Sequence, residues 1–253
     1  MTDLAYQDFG PRDARPVVFT GSIASSTDMW LPQLDALAGG FRVIAVDHPG
    51  HGRSPDPHAG PGVTALPDLA ADVLAVADAL GVGEFDIVGL SLGGYLTLHF
   101  AGTNPGRLAG VVAADCTIVP GPAMARMYGL WMTMKDWLPG DSDARVARSF
   151  ARRHTRKAAK RYYGGGRAHG VIRTVVRTIG ALDLLADVAA IDVPITFVNG
   201  EHDPFRRHEA LFVEAARDGE LVILQDAGHI ANLSRPKRFA KVLHRCAAAT
   251  VPA

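Results

Sequence analysis

The sequence predicts an α/β fold, a mostly parallel, doubly wound sheet with helices on both faces and one helical insertion. Three observations carry this. Short, nearly continuous apolar runs alternate with amphipathic stretches in the first and last parts of the chain, as parallel strands covered on both faces require. The alternation stops between about residues 117 and 190, where only helical patterns remain. The length, 253 residues, suits one such domain with an insertion and is enough to bury a sizeable core.

The elements follow in order. Pro16–Thr20 is the first apolar run, and Met29–Leu37 has helical spacing with Trp30, Leu34 and Leu37 on one face. Phe41–Val46 is the next strand. Leu66–Leu80 is a helix striped by Leu66, Leu69, Val73, Val76 and Leu80, with Gly81 as its stop. Phe85–Val88 and Leu108–Ala113 are strands on either side of a helix over Tyr95–Thr103. Pro120-Gly121-Pro122 opens the insertion, which shows helical patterns over 124–137, 142–161 and 168–179, with Gly164-Gly165-Gly166 as a hinge or loop between two of them. Strands resume at Pro194–Val198 and Glu220–Leu224, with helices from about Arg207 and Pro236. The expected organisation is a core of residues 1–116 and 191–253 and a helical cap of 117–190 that folds over the core as a lid.

Gly89-Leu90-Ser91-Leu92-Gly93 follows a strand and opens a helix, the context in which G-x-S-x-G is a nucleophile elbow. The two flanking glycines remove side chains that so tight a turn cannot hold, and Gly94 relaxes the packing further. Serine needs a base to take its proton, and the base needs a partner to fix its tautomer. His229, after the last strand, is the expected base, and Asp203, after the strand before it, the expected acid. Asp115, after the Leu108–Ala113 strand, and Glu201 compete for the acid position. His48 and His51 flank Pro49-Gly50, but the turn explains that segment better than a metal site, with Asp47 and Arg53 as its braces. Gly50 and Gly52 lack the strand-before, helix-after setting of a dinucleotide fingerprint.

These motifs resemble the α/β-hydrolase superfamily over nearly the whole chain. Its carriers are Gly89–Gly94, Asp47-His48-Pro49-Gly50-His51-Gly52-Arg53-Ser54, Gly200-Glu201-His202-Asp203 and Gly228-His229-Ile230-Ala231-Asn232-Leu233. Gly21-Ser22-Ile23 through Met29-Trp30, Pro32-Gln33-Leu34 and the ending around His229–Leu233 with Pro236 resemble the 3-oxoadipate enol-lactonase branch. The resemblance implies an α/β-hydrolase fold with its cap after the sixth strand, and a catalytic triad of Ser91, Asp203 and His229 in that chain order. It also implies an oxyanion hole made by the backbone N–H groups of Ile23 and Leu92. Many relatives carry His-Gly where this chain has Gly21-Ser22, so Ser22, Ser25 or Ser26 is expected to brace that loop instead.

Composition narrows the setting. Met1–Arg15 carries acids and Pro11 without an apolar run, and reads as neither signal nor transit peptide. No stretch approaches a membrane span. Cys116 and Cys246 are too few for a disulfide framework and read as reduced thiols of a cytoplasmic protein. Net charge is zero, yet residues 144–182 hold nine Arg, two Lys and no acid. That surplus is either a solvated face or an attraction for an anionic substrate or an acidic partner. Nucleic acid is not expected, because aromatics beyond Tyr162-Tyr163 are not interleaved with the charge. In the cap, Met127 and Trp131 are the candidates for the substrate pocket. The expectation is a serine hydrolase of a small carboxylic ester or lactone, with neither cofactor nor metal. Its rivals are a thioesterase or acyltransferase with the same triad, and a cofactor-free lyase or cyclase using His229–Asp203 as a base.

Overall fold

A computed structural model describes residues 4–55, 66–123, 126–127, 130, 142–165 and 178–249. Their sheet has seven strands: β1 (Tyr6–Phe9), β2 (Pro16–Thr20), β3 (Arg42–Val46), β4 (Phe85–Leu90), β5 (Leu108–Ala114), β6 (Ile195–Gly200) and β7 (Gly219–Leu224). Their order is β1-β3-β2-β4-β5-β6-β7. Only the edge strand β1 runs antiparallel, pairing Tyr6 with Val46 and Phe9 with Val43. β2 through β7 are parallel, so their carboxyl ends share one edge. The chain moves outward from β2 to β3, then returns across β2 to β4. This reversal opens a crevice where α/β sheets bind ligands. Register sets Thr20 opposite Gly89, which brings the loop after β2 beside the Ser91 turn.

β2, β3, β4 and β6 are buried almost throughout, as parallel strands covered on both faces are. Two cores sit on opposite faces. One packs α2 (Leu66–Ala79), α3 (Leu92–Thr103), a helix over Leu184–Ala190 and Phe212 against Val18, Ile44, Ile87 and Phe197. The other packs α1 (Leu31–Leu37) and the last helix, Pro236–Ala249, against Val17, Phe19, Val43 and Val88. Trp30 is its centre, with its ring 5.1 Å from that of Phe19 and 5.9 Å from that of Phe239.

The structure departs from the sequence expectations at several places. β1 went unforeseen because its four residues are half polar and are held only by pairing with β3. The insertion leaves the sheet after Leu108–Ala114, as expected. That strand is the fifth in chain order among the described residues, one fewer than the ordinal taken from the resemblance. The helix expected over 142–161 is two, α4 (Ser142–Arg153) and α5 (Arg156–Tyr162). Thr155 makes the break, with its Oγ1 accepting the Ala158 N–H at 3.2 Å as an N-cap. α6, the helix over Leu184–Ala190, buries Leu184 and Val188 in the core. A Cβ on Gly102 of α3 would strike the Asp187 backbone, and His99 Nδ1 lies 2.9 Å from Asp187 Oδ2. Residues 184–190, part of the stretch expected as cap, thus lie against α3. α7 (Glu209–Ala215), α8 (Ala231–Ser234) and α9 (Pro236–Ala249) complete the chain.

Candidate active site

The site begins with a strained turn. Ser91 joins β4 to α3 at φ 58° and ψ −115°, a conformation that costs a non-glycine residue about 1–3 kcal/mol. The surroundings hold it there. Ser91 N–H donates to the Ala114 carbonyl at the end of β5, 2.8 Å away. A Cβ on Gly89 would collide with the Gly93 carbonyl, one on Gly93 with the Thr20 and Gly21 carbonyls, and one on Gly94 with Cys116. Glycine is therefore required at each position by contact. Thr20 Oγ1 donates to the Gly93 carbonyl at 3.0 Å, which ties the end of β2 to the first turn of α3.

His229 Nε2 lies 3.0 Å from Ser91 Oγ, and its Nδ1 lies 2.9 Å from Asp203 Oδ1. The three sequence-predicted residues thus form one hydrogen-bonded line from the ends of β4, β6 and β7. The Asp203 side chain is fully buried, while that of His229 is one quarter exposed, so the line opens toward solvent at the imidazole. Phe205 N–H donates to Asp203 Oδ1 at 3.0 Å, and the Phe205 ring lies 4.5 Å from the imidazole. This aromatic wall has no sequence signature beyond its place two residues after the acid.

Asp115, the rival acid, does something else. Its Oδ1 accepts the Gly200 N–H at 2.9 Å, and its Oδ2 accepts the Ala231 N–H at 3.0 Å. It therefore clamps together the loops that carry Asp203 and His229. Burial, and then the neighbouring Asp203 carboxylate, push its carboxyl well above the usual range. Glu201 Oε2 accepts the Asp226 N–H at 2.9 Å and braces the turn before His229.

Leu92 is buried at the first position of α3, so its N–H is among those without an acceptor inside the helix. Ile23 is half-buried in the loop beside it, next to Ala24 at φ 58°. Asp47 accepts N–H groups from Thr27 at 2.6 Å and Arg53 at 3.0 Å, locking the turn after β3 to the end of that loop. His48 is fully buried, and burial lowers its pKa to about 3, so it is neutral. Among the described residues no group of three or more His, Cys, Asp or Glu is placed to hold a metal ion. Of the two cap residues expected in the pocket, Met127 is 66% exposed, and Trp131 lies outside the described residues. The cap's entry is pinned to the core by two bonds. Tyr95 Oη donates to the Ile118 carbonyl at 3.1 Å, and Val119 N–H donates to His208 Nδ1 at 2.9 Å.

A glycine-flanked serine at the carboxyl end of a central parallel strand, facing an imidazole from a later strand, is the architecture of a hydrolase. The sequence matches the Alpha/beta hydrolase family over residues 17–242, and the chain belongs to that family. Among its relatives is 3-oxoadipate enol-lactonase 1 of Acinetobacter baylyi, 25% identical over 94% of this chain and 91% of that one. RutD of Agrobacterium fabrum, provisionally named a carbamate hydrolase, is 27% identical over 90% of each. The solved enol-lactonase of Burkholderia xenovorans LB400 superposes with a TM-score of 0.82 at 25% identity, covering 97% of this chain and 96% of that one.

Proposed function

We propose that this hydrolase cleaves carboxylic esters or lactones through an acyl-enzyme on Ser91. The observation that carries the reading is the unbroken line from Ser91 Oγ through His229 to the buried Asp203 carboxylate. His229 Nε2 takes the serine proton as Oγ attacks the acyl carbonyl, and Asp203 stabilises the imidazolium that results. The carbonyl oxygen becomes an oxyanion, which the N–H groups of Ile23 and Leu92 receive, Leu92 with the help of the α3 dipole. The imidazolium returns its proton to the departing alcohol. Water, deprotonated by the same imidazole, then frees the acid and restores Ser91. For a lactone, alcohol and acid stay in one product. The likeness to enol-lactonases supports a lactone or ester that bears a carboxylate, and the cap's basic surplus supports the same choice.

Covalent labelling tests the nucleophile. A fluorophosphonate should label the wild type on Ser91, and p-nitrophenyl acetate should be turned over. Ser91→Ala should lose both labelling and turnover while melting within a few degrees of the wild type. Hydrolysis by Ser91→Ala near the wild-type rate would reject the assignment. A wild type that labels but hydrolyses none of a library of esters, lactones, thioesters and carbamates would favour a lyase or cyclase on the same scaffold.

A further inference from the structure

One segment of the expected cap reaches the loop expected to hold the oxyanion. Tyr162, the last residue of α5, is buried. Its Oη lies 2.9 Å from Ser22 Oγ and 2.6 Å from the Ile23 carbonyl oxygen. The carbonyl can only accept, so the phenolic proton goes to it, and the Ser22 hydroxyl supplies the second bond. These two contacts sit on either side of the Ile23 N–H. The same cap segment makes two further bonds to the loop. Ser26 N–H donates to the Tyr162 carbonyl at 3.3 Å, and Gly165 N–H donates to Ser26 Oγ at 2.9 Å. Gly165 comes so near that a Cβ would lie 2.7 Å from the Ser26 Cβ. The core holds the loop at other atoms: Ser25 Oγ and N–H donate to the Ser22 carbonyl at 2.5 and 3.3 Å, Ser22 N–H to Met29 Sδ at 3.3 Å and Thr27 N–H to Asp47 Oδ1 at 2.6 Å, while Ala24 has φ 58°. The Tyr162 ring is in turn wedged by Phe150 of α4, with ring centres 4.5 Å apart.

We infer that Tyr162 is a positioning residue for the oxyanion hole: its hydroxyl fixes the Ile23 peptide, so the hole has its working shape only while the cap is seated. Removal of a donor itself costs about 10²–10³-fold in rate. Here the donor stays and only its aim loosens, so the loss should be smaller. The effect should fall on kcat, since an oxyanion contact is made in the transition state and not with the bound ester. This inference rests on the hydrolytic reading above.

Tyr162→Phe keeps the ring against Phe150 and deletes the hydroxyl. It should lower kcat for p-nitrophenyl acetate about 10-fold with KM within about twofold, relative to the larger loss for a deleted donor. Affinity for an aryl trifluoromethyl ketone, whose adduct with serine carries the oxyanion, should fall in parallel. Inhibition by the carboxylate product, which forms no such adduct, should not change. Ser22→Ala removes the other contact and should shift kcat and ketone affinity in the same direction; it carries the test alone if Tyr162→Phe does not fold. Wild-type kcat and ketone affinity in both variants, or a loss confined to melting temperature, would overturn the proposal. A wild type that hydrolyses no ester would remove the oxyanion and the proposal together, whereas an active wild type with unaffected variants overturns the proposal alone.

Discussion

At the scale of single residues, two buried aspartates, Asp203 and Asp115, have different partners. Asp203 presents Oδ1 to His229, while both oxygens of Asp115 are taken up by backbone N–H groups. Asp203→Asn should therefore cut kcat by about 10⁴-fold, as loss of the triad acid does elsewhere. Asp115→Asn should cost far less activity and show itself in stability instead. The amide nitrogen cannot accept, so one buried N–H loses its partner, at about 1–3 kcal/mol. A second effect depends on pH. The Asp115 carboxyl is raised in the folded protein, so in the unfolded chain it ionises first, near pH 3.9. Its contribution to stability is fully present below that pH and is lost as pH rises toward the folded value. Asn does not titrate. The stability gap between wild type and Asp115→Asn should then narrow from pH 4.5 to pH 8, read as urea midpoints. A gap that widens with pH, or a kcat ranking in which Asp115→Asn is the worse variant, would exchange the two roles.

Individual elements matter here through their junctions. The β4–α3 turn works because Gly93 lies against the carbonyls that end β2, so strand, turn and helix are set by one contact. Gly93→Ala should destabilise by about 1–3 kcal/mol or more through overpacking. Gly39→Ala, at a position with no atom within 4 Å of the added methyl and an ordinary φ, should be neutral or slightly stabilising. Comparable melting temperatures for the two variants would mean that the elbow relaxes more readily than its contacts imply. The α4–α5 junction makes a similar point. Thr155 caps the second helix where the first ends, and Tyr162 at the far end of the second is turned inward to the Ser22–Ile23 loop.

For the molecule as a whole, charge is divided rather than balanced. Residues 144–182 carry nine Arg and two Lys without an acid. Arg152 and Arg156 are exposed, on α4 and α5 respectively. If this field draws an anionic substrate, kcat/KM for a carboxylate-bearing ester should fall as salt rises from about 0.01 to 0.15 M, where the screening length shrinks from about 30 to 8 Å. A matched neutral ester should respond far less. Arg152→Glu with Arg156→Glu should penalise the anionic ester selectively. Equal responses of the two esters would leave the surplus as a solvated face that balances the acidic core.

The α/β class, six of the seven described strands and the residues that meet at the sheet's carboxyl edge are legible in the amino-acid order alone. Those features are local: apolar runs of strand length, a glycine-flanked serine, and an acid and a histidine each placed just past a strand. Tertiary structure decided what depends on contacts between distant segments. β1 exists through β3, and Asp115 is a clamp because the Gly200 and Ala231 N–H groups converge on it. The sequence left the brace of the Gly21–Ser26 loop to its own serines. The fold adds a tyrosine from roughly 140 residues further along the chain. No periodicity announces such a partner, because a hydrogen bond between separate segments depends on how the chain packs and not on spacing along it.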